Sequence, residues 1–96
     1  MNGGKVEVVH EPDRGRFVAQ WGGSESQLIY VAGGGGLVEF LSTWVNSATR
    51  GSGVGERLVI AALEWAAGEG LKVIPTCWFV RTVVGRHPEY RPLLKQ

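Results

Sequence analysis

"NSATRGSGVGERLVIAALEWAA", residues 46–67, decides how the rest of the chain is read. Gly51, Gly53 and Gly55 stand on alternate positions directly before a run rich in Ala and Leu. From there Val54, Leu58, Ala61, Ala62 and Trp65 follow one face of a helix, with Glu56, Arg57 and Glu64 outside the stripe. The spacing predicts a helix over Val54 to Ala67, ended by Gly68 and Gly70. A glycine-rich loop feeding a helix presents N–H groups with no side chains in the way. With the helix dipole behind them, such donors form an anion site. The dipole contributes roughly 0.3–1 kcal/mol per charge. Arg50 can add a charge-assisted contact.

Upstream the period is two, not 3.6. "KVEVVH" (Lys5 to His10) alternates apolar and charged residues and reads as a strand. "EPDRG" is turn chemistry, "RFVAQW" a second strand, "GGSES" a turn, and "QLIYVA" (Gln27 to Ala32) a third strand. After "GGGG" comes a fourth and longer strand, "LVEFLSTWV", Leu37 to Val45. Downstream, "LKVIP" (Leu71 to Pro75) reads as a short strand buried on both faces. Cys77 to His87 reads as a second helix, stopped by Pro88. The sum is an α+β domain, a mostly antiparallel sheet of about five strands with two main helices packed on it.

Composition bounds the rest. A chain of 96 residues makes one domain the sensible count. Ten basic residues against nine acidic ones give a formal charge of +1, with no cluster of the kind that grips nucleic acid. No apolar run is long enough to span a bilayer, and the first residues lack a secretory h-region. A single cysteine excludes an intrachain disulfide. A soluble, cytoplasmic protein is the expectation.

Several readings of the glycine loop compete. A dinucleotide fingerprint needs its third glycine one place later, where Glu56 stands, and a phosphate loop of the GK[ST] kind needs a lysine that is absent. A connection that uses glycines only for their φ values stays open on spacing alone. So does the pyrophosphate loop of an acyltransferase. Cys77, placed at the start of a helix, is either a small buried apolar residue or a nucleophile whose thiolate the helix favours.

"RGSGVG" fits the [RQ]-x-x-G-x-[GA] motif of the GNAT superfamily of acetyltransferases, on Arg50, Gly53 and Gly55. The longer stretch "TRGSGVGERLVIAALEWAAGEGLKVIPTCWFVRTVVGRHPEY" resembles the core of small stand-alone YjdJ-type N-acetyltransferase domains, through Gly70, Leu71, Lys72, Pro75, Cys77, Phe79, His87, Pro88 and Tyr90 among others. The resemblance implies a minimal GNAT fold that binds acetyl-CoA where two neighbouring strands, Leu37–Val45 and Leu71–Pro75, splay apart. The pantetheine arm would run along Trp44, Val45 and Asn46. The pyrophosphate would sit on the N–H groups of Arg50, Gly51, Ser52, Gly53, Val54 and Gly55.

It also implies an amine acceptor, open to a bulky one such as a protein because the turn between the first two strands is short. Monomer and dimer are both compatible with it. No metal is implied. Relatives read H-T-E-V-P where this chain has Ser42-Thr43-Trp44-Val45-Asn46, so Ser42 replaces a histidine that could serve as base. Cys77 is then the candidate catalytic group, an acyl acceptor near the thioester. Glu39, three residues before Ser42, is expected on the opposite sheet face. The alternative to an enzyme is an acyl-CoA-binding module that has lost its base. Of the aromatics, Trp21, Trp65 and Trp78 are expected in the core, Trp44 as a wall of the site, and His10 in solvent. Tyr90 is read as packing, with proton donation to the departing thiolate as its other role.

Overall fold

The computed structural model describes residues 6–49 and 51–95. Lys5, where the first strand was expected to begin, and Arg50 lie outside the described residues.

Five strands form one sheet in the order of the sequence: β1 (Glu7–Glu11), β2 (Arg16–Trp21), β3 (Ser24–Gly34), β4 (Leu37–Trp44) and β5 (Lys72–Pro75). The first four make an antiparallel meander; β5 joins β4 in parallel, through the crossover that carries helix α1 (Val54–Gly68). Helix α2 (Trp78–Arg86) follows β5, and a 3-10 segment, Pro88–Leu93, closes the described chain. This is the expected α+β architecture.

Both helices pack on one face of the sheet. Phe17, Ala19, Leu28, Tyr30, Val38, Phe40 and Val73 supply the sheet side of a single core. Leu58, Val59, Leu63, Val80 and Val83 supply the helix side, all fully buried. Each such side chain contributes about 1.5–3 kcal/mol. The buried arc of α1 is wider than the expected stripe. Val59, Leu63 and Ala66 are buried, while Ala61 and Trp65 sit at its margin. The reason is that α1 is touched from several sides, by the sheet, by α2 and by the segment after it. β5 is not buried on both faces as its composition suggested. Only Val73 is in the core, and Lys72 is exposed. The second face of the sheet carries no helix among the described residues, and leaves Val9 and Val31 about half exposed, at 50% and 51%.

One irregularity sets up the site. Ile29 pairs with Ser42 and the next residue, Tyr30, pairs with Phe40, so Leu41 has no partner and β4 bulges there. The extra residue shifts the alternation by one. Val38 and Phe40 face the core before the bulge, and Thr43, paired with the core residue Leu28, faces the same way after it. Glu39, opposite Val31, and Ser42, opposite Ile29, therefore share the uncovered face. The expectation that they leave opposite faces fails, because a count of three residues assumed an unbroken strand.

Candidate functional site

β4 and β5 stay paired from Leu37↔Lys72 to Phe40↔Pro75, and the Cys77 N–H then donates to the Phe40 carbonyl at 3.0 Å. Beyond that point the two chains part. β4 continues to Trp44 and turns into the glycine loop, whereas the other chain enters α2. The space between them is a cleft of about 590 Å³, lined by Thr43, Val45 and Thr49, the loop residues Gly51, Gly53, Val54 and Gly55, and Glu56, Trp78, Phe79 and Arg86. That size suits a small-molecule ligand.

Local chemistry shapes the entry to α1. The Asn46 N–H donates to the buried Ser26 hydroxyl at 2.9 Å. The Asn46 side-chain carbonyl accepts the Ala48 N–H at 2.9 Å, and its backbone carbonyl accepts both the N–H and the hydroxyl of Thr49. Ser52 in turn gives its N–H and its hydroxyl to the Thr49 carbonyl. These bonds fold the loop back on itself and deliver Gly53 to the N-cap of α1 at φ +85°, a left-handed conformation open to glycine. Gly55 serves a different need. A Cβ there would stand 2.9 Å from Val45 Cγ2 and 3.0 Å from Phe79 Cε2. The first bond of the helix ladder is Arg57 N–H to Gly53 carbonyl at 3.0 Å, and no carbonyl among the described residues takes the N–H groups of Gly55 and Glu56. Those donors fit a phosphate group.

A charged cluster borders the loop. Glu56, in the first turn of α1, accepts Arg86 Nη1 on Oε1 and His87 Nε2 on Oε2, both at 2.8 Å. The bonds from His87 and then Arg86 hold its carboxyl below the usual glutamate range. His87 also lies 3.8 Å from Glu89.

Of the expected ligand contacts, Val45, Gly51, Gly53, Val54 and Gly55 are brought together along the cleft. Trp44, Asn46 and Ser52 are near it in sequence but do not line it. Trp44 is 57% exposed, and the polar groups of Asn46 serve the loop itself. Cys77 is buried behind the cleft wall, with its Sγ 3.5 Å from the hydroxyl of Thr43, which does line the cleft. Its neighbour Thr76 donates its hydroxyl to Glu39 Oε2 at 2.5 Å. A carboxylate therefore stands beside the splay on the open face.

Other aromatic residues depart from expectation. Trp78 is 67% exposed and walls the cleft instead of joining the core. His10 is not solvated: it stacks on Phe17 at 4.1 Å and shares a 2.6 Å hydrogen bond with the Tyr30 hydroxyl. Burial lowers its pKa, an effect that Glu69 opposes. Tyr90 instead packs against the core as expected; it donates to Glu64 at 2.5 Å and is absent from the cleft lining. That bond raises its pKa to about 12.

Sequence reasoning missed Thr43, Thr49, Glu56, Trp78, Phe79 and Arg86 as lining. Glu56 could have been found as the acid of a helix first turn. Nothing local could have found Arg86, which reaches Glu56 across thirty residues of sequence. Among the described residues, no group of three or more His, Cys, Asp or Glu is placed to hold a metal ion, and no helix is long and apolar enough to cross a membrane.

A mixed sheet whose fourth and fifth strands part over a glycine loop at a helix start defines the minimal N-acetyltransferase fold. In line with that class, residues 16–93 match the family model described as GCN5-related N-acetyl-transferase, and the chain belongs to that family. It is similar to Protein NATD1 of Mus musculus, at 33% identity over 90% of this chain and 80% of that protein. The NATD1 proteins of Gallus gallus and Homo sapiens are each 32% identical over 86% of this chain, and over 77% and 75% of their own lengths.

Proposed function

We propose that the chain binds acetyl-CoA in the cleft between β4 and α2 and transfers the acetyl group to an amine. The observation that carries this reading is the start of α1. N–H groups with no carbonyl acceptor among the described residues stand there beside a cleft of ligand size, inside the segment that matches the N-acetyltransferase family. Acetyl-CoA supplies an activated thioester. The loop from Gly51 to Gly55 holds the phosphates by backbone donors, and Val45, Trp78 and Phe79 give the ligand apolar walls.

Two groups of this chain can serve the transfer. Cys77 can accept the acyl group as a thioester, since its thiol borders the Thr43 wall of the cleft. Glu39, on the uncovered face, can take the proton of an amine that arrives from that side. An acceptor meeting a bare sheet face is not enclosed, which favours an amine on a large molecule, such as a protein, over a small metabolite.

Calorimetry with acetyl-CoA tests the binding; no affinity at millimolar ligand overturns it. Intact-mass spectrometry after incubation with acetyl-CoA separates the two routes. A thioester-labile adduct that disappears in Cys77→Ala assigns the cysteine. Full turnover by Cys77→Ala, with loss in Glu39→Gln, assigns the carboxylate. Binding without adduct or product for any amine tested favours the acyl-CoA-binding module instead.

A further inference from the structure

Glu56 is a carboxylate in a place built for anions. It occupies the first turn of α1, beside the N–H groups of Gly55 and Glu56 itself, which have no carbonyl acceptor among the described residues, and it lines the cleft. Helix dipole and donors together favour one negative charge there. In this structure that charge belongs to the protein. Oε1 holds Arg86 and Oε2 holds His87, each at 2.8 Å. Arg86 is the only described cation that lines the cleft, and its side chain is 58% exposed. One of its nitrogens, Nη1, serves Glu56; no other described residue accepts from the guanidinium.

We propose that Glu56 is a built-in competitor for the phosphate charge of the ligand, and that Arg86 passes from the Glu56 carboxylate to a ligand phosphate on binding. The inference rests on the cofactor reading above and adds the residues that set its affinity. The exchange leaves no charge without a donor. Arg86 gains a phosphate that can take two of its N–H groups side by side, a stronger arrangement than its single bond to Glu56. Glu56 keeps His87 on its other oxygen. A ligand without phosphate cannot draw Arg86 away and gains nothing from this charged cluster. The cluster thus selects for a diphosphate-bearing ligand, and the carboxylate weakens its grip so that it can leave.

The test is a calorimetric titration of the parent protein, Glu56→Gln and Arg86→Ala with coenzyme A, inorganic pyrophosphate and pantetheine, with thermal unfolding of each variant alongside. Removing the like charge should tighten coenzyme A and pyrophosphate about fivefold in Glu56→Gln. Removing the guanidinium should weaken both about fivefold in Arg86→Ala. Pantetheine should not change in either, and both effects should shrink as salt rises.

The proposal is overturned if folded Glu56→Gln binds the two phosphate ligands no more tightly than the parent, or shifts pantetheine by the same factor. Should Glu56→Gln fail to fold, unchanged pyrophosphate binding by Arg86→Ala overturns it. A parent that binds pyrophosphate with these ratios but not coenzyme A refutes the cofactor reading and leaves this inference standing. The reverse pattern, coenzyme A bound with no effect of either variant, refutes only the inference. No measurable binding of any phosphate ligand refutes both.

Discussion

Gly55→Ala sets two familiar effects against each other at one atom. Gly55 is the second residue of α1 and is buried. In an unobstructed helix, alanine in place of glycine gains about 0.8–1.0 kcal/mol. Here the new Cβ would stand 2.9 Å from Val45 Cγ2, and 3.0 and 3.2 Å from two atoms of the Phe79 ring. Overpacking of this kind costs about 1–3 kcal/mol. The packing term is the larger, so a net loss of about 1 kcal/mol follows, or roughly 4–8 °C in melting temperature for a domain of this size.

Strain relief has a direction as well as a size. Val45 and Phe79 both line the cleft, so a half-buried Phe79 ring displaced by the new Cβ alters the cleft wall itself. Ligand affinity should therefore fall by more than the fold loses, about tenfold or beyond. Chemical denaturation and titration with coenzyme A measure the two separately. A variant that is more stable than the parent and binds with unchanged affinity would refute the packing described for Gly55. The family pattern admits alanine at this position, so the prediction is specific to a chain with Val45 and Phe79 against it.

Gly53→Ala meets no neighbour within 4 Å, so its cost is the left-handed backbone alone, roughly 1–2 kcal/mol by denaturation, with no steric loss of cleft. Phe40→Ala removes a fully buried ring from the last position at which β4 pairs with β5, and should lower stability by about 3–5 kcal/mol in the same assay. Because the Glu56 carboxyl is held below its ordinary range, its contribution to stability is complete above that range. It is lost as pH falls through the depressed value. Melting curves on the acid side should show this loss, and Glu56→Gln should flatten it. The Tyr90 pKa of about 12 means that its phenol stays protonated through the range where free tyrosines ionise. Its bond to Glu64 thus persists above pH 10, and Tyr90→Phe should remove one late-titrating phenol from the absorbance titration.

How far the fold was legible depended on how local each determinant is. β2, β4 and both helices lie within about a residue of where period and punctuation put them, since alternation and C-terminal glycines are written over a few neighbours. β3 runs longer at both ends than its apolar run, because hairpin pairing with Trp21 and Leu37 extends it into polar Ser24 and bare Gly34. The bulge at Leu41 has no mark in the sequence. Leu41 is an ordinary strand residue, and only the partner register exposes the slip. The face of Glu39 was misread for that reason. The loop half of the cleft was legible from its glycines. The α2 half, Trp78, Phe79 and Arg86, is brought there by tertiary packing, and Trp78 in particular looks like core by composition alone.

The order of the sheet gives the molecule two grades of permanence. β1 to β4 are joined by short turns, so their pairings close small loops and form early. Among the five described strands, only β4 and β5 are joined across an α-helix, and their pairing rests on four residue pairs. The cleft lies at the end of that weaker seam, where β5 and α2 could part from β4 with the meander still intact. A ligand seated there touches both sides of the seam. It would act as a clasp, slowing the opening of the half of the molecule that the backbone itself secures least.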